Sequence, residues 1–371
     1  MIDPTKGGEL MKGGARGVPV TLSTRIRLAR NLRDFPFPAW AETSQRRDVL
    51  AACREAAESL KTFKEPISFE VDDLSDLQKL VLVERHVISR ELMQIDEAAG
   101  AVLSPDQSVS IMINEEDHLR MQAIRPGLAL SEAYELVSSI GTQLESSLEF
   151  AFDHELGYLS ACPTNLGTGM RASAMLHLPG LVLSDQIAQV LQAVGKLQLA
   201  VRGFFGEGTE SLGNLFQVSN QSTLGESEET IIRRLERVIE QVVSHERNAR
   251  LKLFEDDADM VFDRVGRAYG TLRHAHIIAS KEALNLLSLL RLGAELEFFP
   301  PKTGGTCDSL LMEIQPAHLQ LHSGKKLTPE QRDAIRAEII RTRLQSLDPP
   351  VMNKRQEDED REDPPDTIVD L

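Results

Sequence analysis

The chain has 371 residues, 41% of them hydrophobic, enough for one large core and a smaller one. Its 57 acidic side chains outnumber 41 basic ones, giving a formal charge of −16. That balance argues against nonspecific nucleic-acid binding, which rests on Lys and Arg neutralising phosphates.

Three scattered cysteines, Cys53, Cys162 and Cys307, lack CxxC spacing and read as free thiols of a reducing compartment. No apolar run approaches the roughly 20 residues that a membrane span needs, so a soluble cytoplasmic protein is expected.

In chain order, residues 1–17 are rich in Gly and Lys and are expected to be mobile. Val18 to Leu22 reads as a strand leading into Ser23-Thr24-Arg25-Ile26-Arg27. Val49, Leu50, Cys53, Ala56 and Leu60 give one apolar face to a helix over 45–61. Val109, Ile111 and Ile113 alternate, as do Leu119, Met121 and Ala123, which predicts two strands joined by the acidic turn Asn114-Glu115-Glu116-Asp117. Helical spacing follows from Ala133 to Leu148, strand alternation from Ala172 to Leu178, and helices over 184–197 and 231–243.

Beyond about residue 255 helical periodicity dominates, over 260–272, 281–292 and 329–344. The last begins Thr328-Pro329-Glu330-Gln331, an N-cap, a first-turn Pro and a capping-box Gln. The expected class is α+β, an antiparallel sheet flanked by helices over 18–255 and then a smaller all-helical domain over 256–350. The acidic, Pro-containing stretch 351–371 is expected to be disordered.

For nucleotide binding, no GxxxxGK[ST] occurs and the protein-kinase motifs are absent. Gly167-x-Gly169-x-x-Ala172 matches a dinucleotide fingerprint, but a strand follows where that fingerprint needs a helix. Arginines offer another phosphate site, because planar guanidinium forks suit phosphate oxygens. Arg25 and Arg27 share a face if their segment is extended, Arg120 follows the acidic turn, and Arg171 and Arg202 each adjoin a Gly-containing segment. Taken singly, each is an ordinary surface charge.

Their contexts give them meaning together. The segments Ser23 to Arg27, Asn114-Glu115-Glu116-Asp117-His118-Leu119-Arg120, Cys162-Pro163-Thr164-Asn165-Leu166-Gly167-Thr168-Gly169 and Arg171-Ala172-Ser173-Ala174-Met175 resemble the ATP:guanido phosphotransferases. That is the family of creatine and arginine kinases. The resemblance implies ATP and Mg2+ as cofactors, a phosphate clamp of Arg25, Arg27, Arg120 and Arg171, and His86 beside the adenine. It also implies that Arg202-Gly203-Phe204-Phe205-Gly206-Glu207 belongs to a later phosphate loop ending at Glu210. Phe205 stands where small-guanidine kinases carry a further arginine.

Glu116 and Glu210 then hold the substrate guanidinium. Either can be the base, with Glu116 preferred because it sits in a turn between strands. Cys162 matches a reactive cysteine that aids positioning.

Only 22 residues precede Ser23, fewer than the helical domain preceding this motif in small-guanidine kinases. The resemblance therefore implies a more open site that admits a protein side chain. Phe216-Gln217-Val218-Ser219-Asn220-Gln221 and Lys354-Arg355-Gln356-Glu357-Asp358-Glu359 point the same way, resembling bacterial protein arginine kinases.

Arg332-Asp333-Ala334-Ile335-Arg336-Ala337 resembles the element by which such kinases bind phosphoarginine as an allosteric ligand. Arg332 and Arg336, four apart at a helix start, are expected to face one anion. The implied partners are arginine-containing protein substrates, a zinc-binding activator, a Clp-type ATPase/protease and a second copy in a homodimer. A kinase of free guanidines, or a phosphoarginine-binding adaptor with an inactive kinase half, are the alternatives.

Overall fold

The computed structural model describes residues 19–203 and 211–352. The expectations for residues 1–17 and 353–371 therefore lie outside the described residues. Strands β1 (Thr21–Arg30), β2 (Ile67–Glu70), β3 (Gly100–Leu103), β4 (Val109–Ile113), β5 (Leu119–Pro126), β8 (Met170–His177), β9 (Leu199–Gly203) and β10 (Leu215–Asn220) form one eight-stranded sheet. A small hairpin, β6 (Phe152–Asp153) and β7 (Gly157–Tyr158), stands apart.

The sheet order is β2-β3-β4-β5-β1-β8-β10-β9, with every pairing antiparallel. The first strand begins later than its sequence suggested and runs through the arginines. Residue alternation explains this, because Thr24, Ile26 and Leu28 bury on one face and leave Arg25 and Arg27 on the other.

The helices are α1 (Thr43–Glu58), α2 (Asp76–Glu84), α3 (Arg90–Met93), α4 (Leu130–Glu145), α5 (Pro179–Leu183), α6 (Ile187–Lys196), α7 (Glu228–His274), α8 (Ser280–Glu295), α9 (Lys302–Glu313), α10 (Pro316–Ser323) and α11 (Pro329–Arg343). The periodicity break near residue 255 is a kink rather than the end of a helix. Asp257 leaves helical geometry (φ −157°, ψ 72°), and its side chain accepts the Met260 amide at 3.0 Å, capping the helix where it restarts. At α11 the capping box forms as its sequence predicts: Thr328 accepts the Gln331 amide, and Gln331 reaches back to the Thr328 amide at 3.0 Å.

One face of the sheet is mainly apolar. Ile26, Leu28, Ile111, Met121, Ala172 and Val218 pack there against Val49 of α1, Val137 and Ile140 of α4, and Leu235 and Ile239 of α7. Each of the buried Val, Leu, Ile and Met side chains contributes about 1.5–3 kcal/mol relative to exposure.

The opposite face is divided. At one edge Phe69, Ala101, Leu103 and Met112 meet Leu82, Val87, Ile88 and Leu92. Toward the other, Met175 and Leu215 meet the C-terminal helices through Leu284, Leu287, Leu310 and Ile340. Between these apolar blocks a central strip is left open, and the arginines lie in it.

Candidate active site

Strand register builds the strip. Arg27 sits opposite Gln122 of β5 and Arg171 of β8, while Arg25 sits opposite Ser173. Arg120 is two residues from Gln122 and so shares its face. On the far side Ser219 pairs with Ser173, and Gln217 pairs with Arg202. These arginines, with Gln217, Ser219, Glu91, Gln94, Glu115 and Glu116, line a cavity of about 700 Å3.

Its charge is poorly compensated. Among the described residues, Arg25, Arg27 and Arg171 have no carboxylate partner, and Arg171 makes only a long 3.4 Å hydrogen bond to Ser219. Burial, followed by the charges of Arg171 and Arg120, pulls Arg25 down to about 10. Burial and then Arg25 hold Arg27 well below the usual arginine range, against the pull of Glu115. The buried Nε of Arg27 has no hydrogen-bond partner. Arg171 is lowered by burial and then by Arg202, with Cys162 acting in the opposite sense. Guanidinium groups do not shed their proton at neutral pH, so the arginines give the cavity a cationic surface.

The acidic turn between β4 and β5 supplies the other half of the site. Asn114 takes a left-handed φ of 58°, and its Nδ2 donates to the carbonyls of Arg46 and Ala98, each at 2.7 Å. The next three residues then diverge. The Glu115 side chain is fully buried, bridges Arg120 at 2.5 Å and accepts from Ser89. Glu116 stays 44% exposed and reaches Arg120 at 3.0 Å.

Asp117 turns inward and accepts from Asn31 Nδ2 (2.6 Å), Ser160 Oγ (3.0 Å) and the Ala161 amide (2.7 Å). The Ser160 hydroxyl in turn accepts the Cys162 amide at 3.2 Å. Asp117 thus holds the loop that carries Cys162, a role that sequence reasoning missed. His118 is fixed as one tautomer, with Nδ1 accepting the Leu32 amide and Nε2–H donating to Pro36 O, both at 3.0 Å.

A second cavity of about 550 Å3 adjoins the first. It is lined by Pro38, Ala39, Arg46, Ile95, Asp96, Glu97, Ala161 and the shared Glu115 and Glu116. Glu116 therefore stands on the wall between a cationic chamber and an acidic one. Cys162 lines neither cavity, although its neighbour Ala161 lines the second. Its half-buried Sγ lies 3.1 Å from Thr164 Oγ1.

The remaining expected residues are placed as follows. His86 lines neither cavity and takes a φ of 58°. Burial, then Arg25 and Arg90, pulls its ring down to about 3, so it is neutral. Thr24, Ile26, Ala172 and Ala174 turn their side chains to the opposite face and leave only backbone toward the cavity. Met175 belongs to the second apolar core, and Ser23 does not line the cavity. Gly203 ends β9, while Phe204, Phe205, Gly206, Glu207 and Glu210 lie outside the described residues.

In α11, Arg332 is half-buried, Ala337 is buried, and Arg336 is only 1% exposed. The Arg336 guanidinium donates to Ile278 O (2.9 Å) and Ile314 O (3.2 Å) and pairs with Asp333. It therefore points into the helical core, where it ties three segments together.

Comparisons with known proteins agree with this arrangement. Residues 48–249 match the ATP:guanido phosphotransferase C-terminal catalytic domain, and residues 258–357 match the protein-arginine kinase McsB C-terminal domain. A protein-arginine kinase of Brevibacillus brevis is 46% identical over 340 residues, covering 91% of this chain and 95% of the relative. One from Moorella thermoacetica is 45% identical over 342 residues, covering 91% and 98%. Among solved structures, lombricine kinase aligns over 66% of this chain and 72% of its own with a TM-score of 0.55 and 25% identity. The chain belongs to the ATP:guanido phosphotransferase family, in its protein-arginine kinase branch.

Proposed function

We propose that this protein transfers the γ-phosphoryl group of ATP to arginine guanidinium groups in other proteins. The observation that carries the reading is the pair of adjoining cavities of opposite charge with Glu116 on their shared wall. Triphosphate oxygens fit the chamber of Arg25, Arg27, Arg120 and Arg171, in which Arg25, Arg27 and Arg171 have no carboxylate partner among the described residues. A substrate guanidinium fits the acidic chamber.

Free arginine has a pKa of about 12.5 or higher, so its nitrogen is a poor nucleophile until a base takes a proton. In this reading Glu116 accepts that proton as the N–P bond forms and the bond from Pγ to the bridging oxygen breaks. Glu115, buried on Arg120, keeps the clamp aligned. Glu210 is proposed as the second guanidinium carboxylate, and Cys162 as a positioning group held through Asp117. Catalysis is then mainly alignment and charge neutralisation.

Mg2+ would be carried on the nucleotide phosphates, where it would neutralise charge.

The finer parts of the reading rest on family relationship. They are marking of substrates for Clp-type proteolysis, stimulation by a zinc-binding activator, homodimerisation and phosphoarginine sensing at Arg332 and Arg336. For sensing, Arg332 is the group left to meet an anion, with Arg336 holding the floor beneath it.

The test is a phosphotransfer assay with ATP and Mg2+, comparing an arginine-rich unfolded protein with free arginine by 31P NMR. An acid-labile phosphoarginine signal on protein, lost in Glu116→Gln, supports the proposal. Signal on free arginine alone makes the chain a small-guanidine kinase. Phosphoarginine binding without any transfer makes it an adaptor.

A further inference from the structure

The segment from Glu84 to Val87 joins the C-terminal helices to the floor of the arginine chamber. Helix α10 starts without help from its own N-cap, because the Gln315 side chain makes no capping hydrogen bond. That side chain donates instead to Leu311 O at 2.7 Å. The orphan amides at a helix start need acceptors, and here a distant residue provides them. Glu84, at the end of α2, accepts from the Ala317 amide (2.7 Å), the His318 amide (3.1 Å) and His318 Nδ1 (2.7 Å). Arg85 Nε donates to the other ring nitrogen of His318 at 3.3 Å, which fixes that ring between two neighbouring residues of one segment.

What this segment carries next meets the arginine face of the sheet through Gln122. His86 sits in the left-handed region, a conformation disfavoured for a residue with a side chain and held by its surroundings. Its ring lies within electrostatic reach of Arg25. The carbonyls of His86 and Val87 both accept from Gln122 Nε2, at 2.7 and 3.1 Å. Gln122 stands opposite Arg27 in the sheet, on the arginine face. The path from α10 to the chamber is thus short: Glu84 grips the helix, the His86 and Val87 carbonyls two and three residues on meet Gln122, and Gln122 stands opposite Arg27.

We infer that Glu84 is a positioning residue for nucleotide binding, which caps α10 from across the structure and thereby fixes the His86–Val87 backbone that Gln122 holds opposite Arg27 of the arginine chamber. The inference rests on the reading of that chamber as the nucleotide site. It requires the C-terminal helices to act on ATP affinity while leaving the phosphotransfer step at Glu116 alone. A carboxylate is needed because one group must accept from three donors. An amide oxygen in its place still accepts from two of them.

The test is ATP affinity by calorimetry, with KM and kcat, for the full chain and for Glu84→Ala and Glu84→Gln. Hydrogen exchange at Ala317 and His318 is measured alongside. Losing a helix cap predicts about fivefold weaker ATP binding in Glu84→Ala, with kcat within about twofold and faster exchange at both amides. Glu84→Gln should recover most of the affinity.

Unchanged affinity in Glu84→Ala while the two amides exchange faster overturns the inference. So does a parallel fall of affinity, kcat and melting temperature that Glu84→Gln does not rescue, which marks a merely structural residue. If the unaltered chain itself binds no ATP, the nucleotide reading of the chamber fails instead.

Discussion

Two arginine clusters in this protein are built on opposite principles. At the junction of β8 with the C-terminal helices, Arg250 and Arg291 are buried among carboxylates. Arg291 donates to Asp308 (2.7 Å), Glu295, His177 Nδ1 (3.0 Å) and Pro19 O (2.8 Å). Arg250 pairs with Glu246 (2.5 Å) and Glu295 and donates to His177 O (2.9 Å). Glu246 in turn accepts the amides that open α5, at 2.8 and 2.9 Å.

In the central strip, by contrast, Arg25, Arg27 and Arg171 face one another across a cavity with no carboxylate partner among the described residues. A paired cluster spends its charge on holding the structure together. An unpaired one carries repulsion that an anion relieves, and on the proposed reading this makes the second cluster a binding site while the first is a clasp.

The comparison can be broken in several ways. The largest expected effect is at the wall between the cavities. Glu116→Gln should lower kcat by about 10²–10⁴ while leaving ATP affinity intact, read by steady-state kinetics and calorimetry. Equal activity would move the base elsewhere.

Next comes the clasp. Arg291→Met strands Asp308 and leaves Glu295 with Arg250 alone, and should destabilise the fold by about 3–5 kcal/mol in denaturant titration, with ATP affinity little changed.

Near each cluster lies a histidine held neutral by burial and arginines, His86 within reach of Arg25 and His177 in the clasp. The unfolded chain protonates such rings near 6.5, whereas the folded chain holds His86 at about 3 and His177 well below its usual value. Their contribution to stability is therefore complete above pH 6.5 and is lost as the pH falls below it toward those values. The slope is about 1.4 kcal/mol per pH unit per ring. His86→Gln should flatten it in acid denaturation curves.

The smallest effect is at the loop anchor. Asp117→Asn should lower kcat about tenfold by loosening the Cys162 segment, a loss of the order expected for one buried charge-assisted hydrogen bond. Limited proteolysis between Leu159 and Pro163 would report the loosening directly.

How far this was legible in the sequence follows the same division. Alternation placed Arg25 and Arg27 on one face, the acidic turn sat between two strands, and the capping box at Thr328 opened α11, because each is a local pattern with one local solution. Other features were hidden. Strands β2 and β3 and helices α2 and α3 are too short to show a period, and α7 concealed its continuity behind the kink at Asp257.

The divergence of Glu115, Glu116 and Asp117 was also invisible. Three acids in one turn look alike until Arg120, Ser89 and Ser160 choose among them, and those partners come from distant parts of the chain. Arg332 and Arg336 share a helix turn by spacing, yet Arg336 is drawn inward by carbonyls of Ile278 and Ile314 that no helical pattern announces.

The most direct measurement of the central claim is a paired one on Arg27→Met, combining calorimetric titration with ATP and Mg2+ and a thermal melt of the unliganded chain. Replacing a buried, unpaired charge by an apolar side chain of similar length should leave the melting temperature unchanged or raise it. Loss of a charge-assisted phosphate contact should weaken ATP binding about 10- to 100-fold. Unaltered ATP affinity, or a large drop in melting temperature of the kind expected for Arg291→Met, would contradict the account and make the central strip another clasp.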